Sequence, residues 1–243
     1  MSATSEHIKM ARPRAVVFDW DGTLVDSWRA INEAINATMT AFDLPTWDMA
    51  QTKRHVRHSM RNSFPKYFGD RWQEAADLFY ENYARVHIDY TVGLPGASGL
   101  LDAICDSGAY MSVISNKNGD FLRRECTVLG WDGYFGRLIG ATDCAEDKPS
   151  SMTLATVLEG TGIEFGSELW YVGDAGIDIE LAETAGCVSI MVGKGDPDYP
   201  SPPDRLFADL DAVRAFFVGL LISPRDSFPD AILGLYYLSA GNV

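Results

Sequence analysis

The chain has 243 residues, 47% of them hydrophobic and 22% charged, the make-up of a globular protein with one larger domain or two small ones. Its net charge of −14 argues against non-specific binding to nucleic acid or to an anionic membrane, both of which call for a basic surface. A small anionic substrate stays compatible, because a local patch can override the global sign.

Residues 1 to 14 carry charges and no apolar run of signal-peptide length. The late apolar stretch Ala215 to Ile222 is too short to span a bilayer. Cys105, Cys126, Cys144 and Cys187 form no C-x-x-C pair, which predicts reduced thiols and a cytoplasmic setting.

In chain order, Ala15–Asp19 reads as a buried strand, continuous in its apolar character as strands covered on both faces are. It ends on two carboxylates within "AVVFDWDGTLVDS". Next, Trp28, Ile31, Ile35, Met39 and Phe42 recur at helical spacing, and so do Trp72, Ala75, Phe79, Tyr83, Val86 and Tyr90. A shorter helix is expected between them, around 49–62. "GLPG", Gly93 to Gly96, punctuates the return. Helices near 97–107, 119–129, 150–160 and 176–185 then alternate with strands at Ala109–Ser115, Leu138–Ala141, Leu169–Gly173 and Val188–Val192. That alternation predicts an α/β fold, a parallel sheet covered on both faces, interrupted after its first strand by a helical insert. The expected division is 1–26 with 94–243 for the α/β part and 27–93 for the insert. No role is assigned to the weakly periodic end, Ile222–Val243.

Four strand ends carry residues suited to chemistry. Asp19 and Asp21 close the first strand, and positions i and i+2 of a strand point the same way. Two such carboxylates repel unless a cation offsets them, and an oxygen-only set with room for water suits Mg²⁺. One of the pair also suits nucleophilic attack. Gly22 permits a tight turn and close backbone approach, so Gly22 and Thr23 are candidate phosphate-binding positions. In "VISNK", Ser115 and Asn116 offer a hydroxyl and an amide to phosphate oxygens. In "EDKPSS", Lys148 offers a compact cation just before a proline that can open a helix. In "YVGDAGIDIE", Asp174 and Asp178 lie one helical turn apart, as metal ligands or as helix caps. Taken together, the predicted metal group is Asp19, Asp21, Asp174 and Asp178.

With these four motifs in order, "DWDGTLVDS", "VISNK", "KPSS" and "GDAGIDIE", the sequence resembles the haloacid dehalogenase superfamily over roughly residues 13 to 218. It is most similar to the phosphoglycolate-phosphatase-like branch with a helical cap inserted after the first strand. The resemblance implies a Rossmann-like, doubly wound core. It implies Asp19 as the nucleophile that becomes an aspartyl-phosphate, and Asp21 as general acid and then base. It implies Mg²⁺ on Asp19, the backbone carbonyl of Asp21 and Asp174, with Asp178 behind them or bound through water. Ser115, the amide of Asn116 and Lys148 would hold the phosphoryl oxygens. An acid at position 21 favours phosphate monoesters with an alcohol leaving group, so the implied partner is a small phosphorylated metabolite. A phosphomutase shares the motifs and stays open, as does a binding or regulatory module with a weakened site. Two positions depart from the pattern: Ala175 stands where the family usually has a hydroxyl residue, and Ser151 where it commonly has proline.

The insert holds one basic island in an acidic protein. Residues 53–71 contain six Lys/Arg, two His and one acid. Arg54, Arg57, His58 and Arg61 step at helical spacing and are the candidates for drawing an anionic substrate toward the site.

Overall fold

A computed structural model describes residues 10–56, 58–195 and 199–222. The start of the chain, to residue 9, and the end after Ile222 lie outside them, as does Arg57.

Six strands make one sheet: β1 (Ala15–Phe18), β4 (Tyr110–Ile114), β5 (Arg137–Ile139), β6 (Leu169–Gly173), β7 (Val188–Val192) and β8 (Arg205–Phe207). Their order is β5-β4-β1-β6-β7-β8, and every pairing is parallel. β1 lies between β4 and β6, with Ala15 opposite both Tyr110 and Leu169. All four of its residues are buried, which is why the run is apolar without alternation. Val16 and Phe18 pack to one side with α6 (Ala97–Asp106), α7 (Gly119–Val128) and α10 (Leu210–Ile222). Ala15 and Val17 pack to the other with α8 (Ser151–Leu158) and α9 (Gly176–Ala185). Fully burying a Val or Phe side chain is worth about 1.5–3 kcal/mol, so this central strand anchors both layers. The expected α/β, doubly wound parallel sheet is the fold observed.

β8 and α10 have no counterpart among the expected elements. β8 is three residues long with only Phe207 buried, too short to stand out as a run. α10 buries Leu210, Val213, Phe217 and Leu220, which is helical spacing.

The insert leaves and rejoins through a two-stranded antiparallel ribbon, β2 (Val25–Asp26) and β3 (Val92–Gly93), with Val25 opposite Gly93. This ribbon brings the exit and the return of the insert together beside the sheet. α1 (Trp28–Ala41) and α5 (Trp72–Tyr90) pack along the predicted stripes, Ile31, Ile35 and Met39 against Ala75, Phe79 and Tyr83. Between them the expected single helix is broken in two. α2 (Met49–His55) starts on a capping box: Asp48 accepts from the Gln51 N–H at 2.7 Å, and the Gln51 side chain accepts from the Asp48 N–H at 2.9 Å. It ends where Val56 takes φ −102° and ψ 60°. The chain then restarts as α3 (Met60–Ser63) and α4 (Pro65–Phe68).

Candidate active site

The carboxyl ends of β1, β4 and β6 meet at one place, the position where open parallel sheets bind ligands. Asp19 follows β1, and its N–H donates to the Val172 carbonyl at 2.9 Å. Ser115 follows β4, Asp174 follows β6, and Lys148 arrives from the connection between β5 and α8.

Lys148 Nζ donates to Asp19 Oδ1 at 2.6 Å and to Asp178 Oδ1 at 2.8 Å, with its side chain 3% exposed. The other oxygen of Asp178 accepts from the N–H groups of Asp174 (3.2 Å) and Ala175 (3.1 Å), capping α9 from its first turn. Thr23 Oγ1 lies 3.3 Å from both Asp19 Oδ2 and Asp174 Oδ1. Oxygens of Asp19, Asp174 and Asp178 lie within 4.8 Å of one another. One ammonium therefore faces three carboxylates. Burial pushes Asp19 up to about 8; Lys148 pulls it down, and the neighbouring Asp178 and Asp174 raise it again. This all-oxygen donor set, short of positive charge, fits a hard divalent cation.

Two glycines let the carboxylates come this close. A Cβ at Gly173 would stand 2.4 Å from Asp178 Cγ. Gly22 has φ +91°, and a Cβ there would meet Asp174.

Asp21 lines the same cavity as Asp19, but its side chain does not join the three-carboxylate group. Its Oδ1 lies 2.7 Å from Lys117 Nζ and also accepts from the Ser27 hydroxyl. Burial raises Asp21 from the ordinary carboxylate range, against the pull of Lys117. The two carboxylates of the motif thus stand on separate cations, Asp19 on Lys148 and Asp21 on Lys117.

Ser115 Oγ accepts from the Lys117 N–H at 3.1 Å, and Asn116 Oδ1 accepts from the Lys148 N–H at 3.1 Å. Both residues line a solvent-open cavity that also reaches Asp19, Lys148, Asp174, Ala175 and Asp178. The insert supplies its far wall: Trp28, Ile31, Val56, Met60, Phe79 and Tyr80.

The basic island is not one helical face. The helix stops at His55, so Arg54 and Arg61 belong to different elements. Of the four candidates, His58 lines the cavity and Arg57 lies outside the described residues, while neither Arg54 nor Arg61 lines it. Arg61 turns to the α/β part instead. It donates to Asp147 Oδ1 at 2.6 Å, to the carbonyls of Ala145 at 3.0 Å and Cys144 at 3.3 Å, and to the Ala141 carbonyl. The Ser59 hydroxyl donates to the other Asp147 oxygen. The bend after His55 lets both residues clasp one buried aspartate.

Apart from one spacing on α5, Lys117, Glu125 and His87 carry no sequence signal of a site, and Tyr83 shows only as part of the α5 stripe. Glu125, on α7, is fully buried and accepts from Trp20 Nε1 (2.9 Å), Tyr83 OH (2.8 Å) and Lys117 Nζ (2.6 Å), with His87 Nδ1 at 3.0 Å. Burial alone would push Glu125 up; Lys117 and the hydrogen bonds from His87, Lys117 and Trp20 bring it down to about 2. Trp20 packs edge-on against Trp131 and Phe135 on the face away from Asp19. The one available signal was spacing: Tyr83 and His87 are four apart on α5, a polar pair within an apolar stripe.

The family model for haloacid dehalogenase-like hydrolases matches residues 16–192. The chain belongs to this family. A phosphoglycolate phosphatase from Chromobacterium violaceum is 30% identical over 202 residues, covering 79% of this chain and 88% of that one. Another from Aquifex aeolicus is 29% identical over 174 residues, 71% of this chain and 81% of that one. Among solved structures, a haloacid dehalogenase-like family hydrolase from Streptococcus pneumoniae has the same fold, with TM-score 0.74, 21% identity and coverage of 85% and 99%. A family hydrolase from Ehrlichia chaffeensis aligns with TM-score 0.62 and 28% identity over 88% of this chain and 100% of that one. Within the family the chain is a hydrolase of the phosphoglycolate-phosphatase-like branch.

Proposed function

We propose that this chain is a Mg²⁺-dependent phosphatase that hydrolyses a small phosphate monoester through an aspartyl-phosphate on Asp19. The observation that carries the reading is the division of the motif's two carboxylates. Asp19 sits among Lys148, Thr23 and Asp174, while Asp21 stands apart on its own cation and faces the same cavity. Two carboxylates in different surroundings suit two roles, one as nucleophile and one as proton carrier.

In this reading a phosphoryl group enters between Asp19 and the Ser115–Asn116 turn, with its oxygens held by Ser115, the Asn116 amide, Lys148 and the Gly22–Thr23 backbone. Asp19 attacks phosphorus and the P–O bond to the alcohol breaks. The Asp21 carboxyl gives its proton to the departing oxygen and then takes a proton from the water that cleaves the acyl phosphate. Carboxylates of Asp19 and Asp174, with the Asp21 carbonyl, would hold Mg²⁺, and Asp178 would sit behind them on Lys148; the ion would supply positive charge to the phosphoryl oxygens.

Residues 27–93 are read as a cap over the core, 1–26 with 94–243, and the wall they supply is where selectivity among esters would arise. Phosphoglycolate, named in the relatives, belongs on the substrate panel. Among the described residues no helix is long and apolar enough to cross a membrane, and all four cysteines are free, which supports placement in the reducing cytoplasm. The test is phosphate release from an aryl phosphate with Mg²⁺ and with a chelator. Full activity without a divalent ion overturns the reading.

A further inference from the structure

Behind Asp21 lies a buried charged cluster that the steps above do not use. Lys117 Nζ contacts three oxygens: Asp21 Oδ1 at 2.7 Å, Glu125 Oε2 at 2.6 Å and the Tyr83 hydroxyl at 2.8 Å. Its side chain is 6% exposed and that of Glu125 is 0% exposed. Tyr83 and His87 reach Glu125 from α5 of the insert, whereas Glu125 and Lys117 belong to the α/β part. Phe121, one turn before Glu125 on α7, packs edge-on against the same two rings, 5.2 and 4.8 Å between centroids. Glu125 is therefore where the seated insert and the cation at Asp21 meet.

An ammonium on a four-carbon stem is mobile unless several partners fix it. Asp21 alone gives one contact. Glu125 gives the second, and Tyr83 the third, from the far side of the insert boundary. If the insert moves off, Glu125 loses two of its donors, and the Lys117 ammonium loses one of its three oxygens. The proton carrier is then held less firmly.

We propose that Glu125 is a positioning residue: through Lys117 it holds the Asp21 carboxyl in place for proton transfer, and it does so fully only while Tyr83 and His87 of the insert are seated on it. This rests on the phosphatase reading and deepens it, linking closure of the insert to readiness of the general acid.

The test uses two substrates on the full chain with Mg²⁺. An alkyl phosphate such as glycerol 3-phosphate needs its leaving alcohol protonated; p-nitrophenyl phosphate leaves as a stabilised anion and hardly does. For Glu125→Gln, kcat/KM, which reports the steps up to departure of the alcohol and not the later attack of water, is expected to fall about 10- to 100-fold on the alkyl ester and by no more than about threefold on the aryl ester. Tyr83→Phe, which removes one insert donor and keeps Glu125, is expected to show the same ordering with a smaller loss, and it carries the test if Glu125→Gln does not fold. Equal losses of kcat/KM on both esters, as a purely structural clasp would produce, overturn the proposal, and so does unchanged kcat/KM on both. The alkyl ester is replaced by phosphoglycolate or another panel member if glycerol 3-phosphate is not turned over; if the unaltered protein releases phosphate from no alkyl or aryl ester of the panel, the phosphatase reading itself falls and this inference with it.

Discussion

A Cβ at position 22 would stand 2.8 Å from Oδ2 of Asp174. The turn after the first strand and the carboxylate after β6 are thus packed as closely as glycine allows. Gly22 also has φ +91°, where a side chain is strained whatever the space. Gly22→Ala is expected to push Asp174 aside and to weaken Mg²⁺ activation about 10- to 100-fold. A Mg²⁺ titration of phosphate release reads the change directly. An unshifted titration would remove Asp174 from the metal site.

Asp19 carries a pH prediction. Its folded value of about 8 lies above the ordinary 3.8, because burial outweighs the pull of Lys148. Between those values the folded metal-free chain binds more protons than the unfolded one, so its stability falls as pH rises through that window. A divalent cation offsets the same charge. The gain in Tm on adding Mg²⁺ is therefore expected to be larger at about pH 8 than at about pH 5. Melting curves with Mg²⁺ and with a chelator at both pH values check this. An equal gain at both would contradict it.

Arg61 is expected to matter for stability rather than for substrate. Its partner Asp147 has a side chain 1% exposed, while Arg61 is 40% exposed, so solvent screens part of the pair. Arg61→Ala leaves a buried carboxylate with Ser59 alone among its side-chain donors described here. The expected cost is about 1–3 kcal/mol in urea unfolding, with Michaelis constants little changed. A raised Michaelis constant at unchanged stability would instead return Arg61 to substrate recognition.

The parts of the fold that could be read from sequence are those where one element carries its own pattern. β1 is apolar at every position because both faces are covered. α1 and α5 show their stripes because each buries one face. The strand ends at Asp19, Ser115 and Asp174 were likewise visible, since each is a polar interruption right after an apolar run. The hidden features depend on partners distant in sequence. Glu125 in α7 reads as a solvated helix residue until Tyr83 and His87, 42 and 38 positions away, close over it. Lys117 stands in a motif whose visible signal lies in its neighbours Ser115 and Asn116. Arg61 continues the helical spacing of Arg54, and nothing local announces the break after His55. β8, a three-residue edge strand, has too little buried surface to leave a pattern.

The central claim is that Asp19 is the group that takes the phosphoryl, and phosphate release by Asp19→Asn tests it most directly. Asparagine keeps the shape of the side chain and removes the nucleophilic oxygen charge that faces Lys148 at 2.6 Å. With Mg²⁺ and a panel of small phosphate monoesters that includes phosphoglycolate, the unaltered chain is expected to release phosphate from at least one, and Asp19→Asn from none while remaining folded by circular dichroism. Sustained turnover by folded Asp19→Asn would contradict the account.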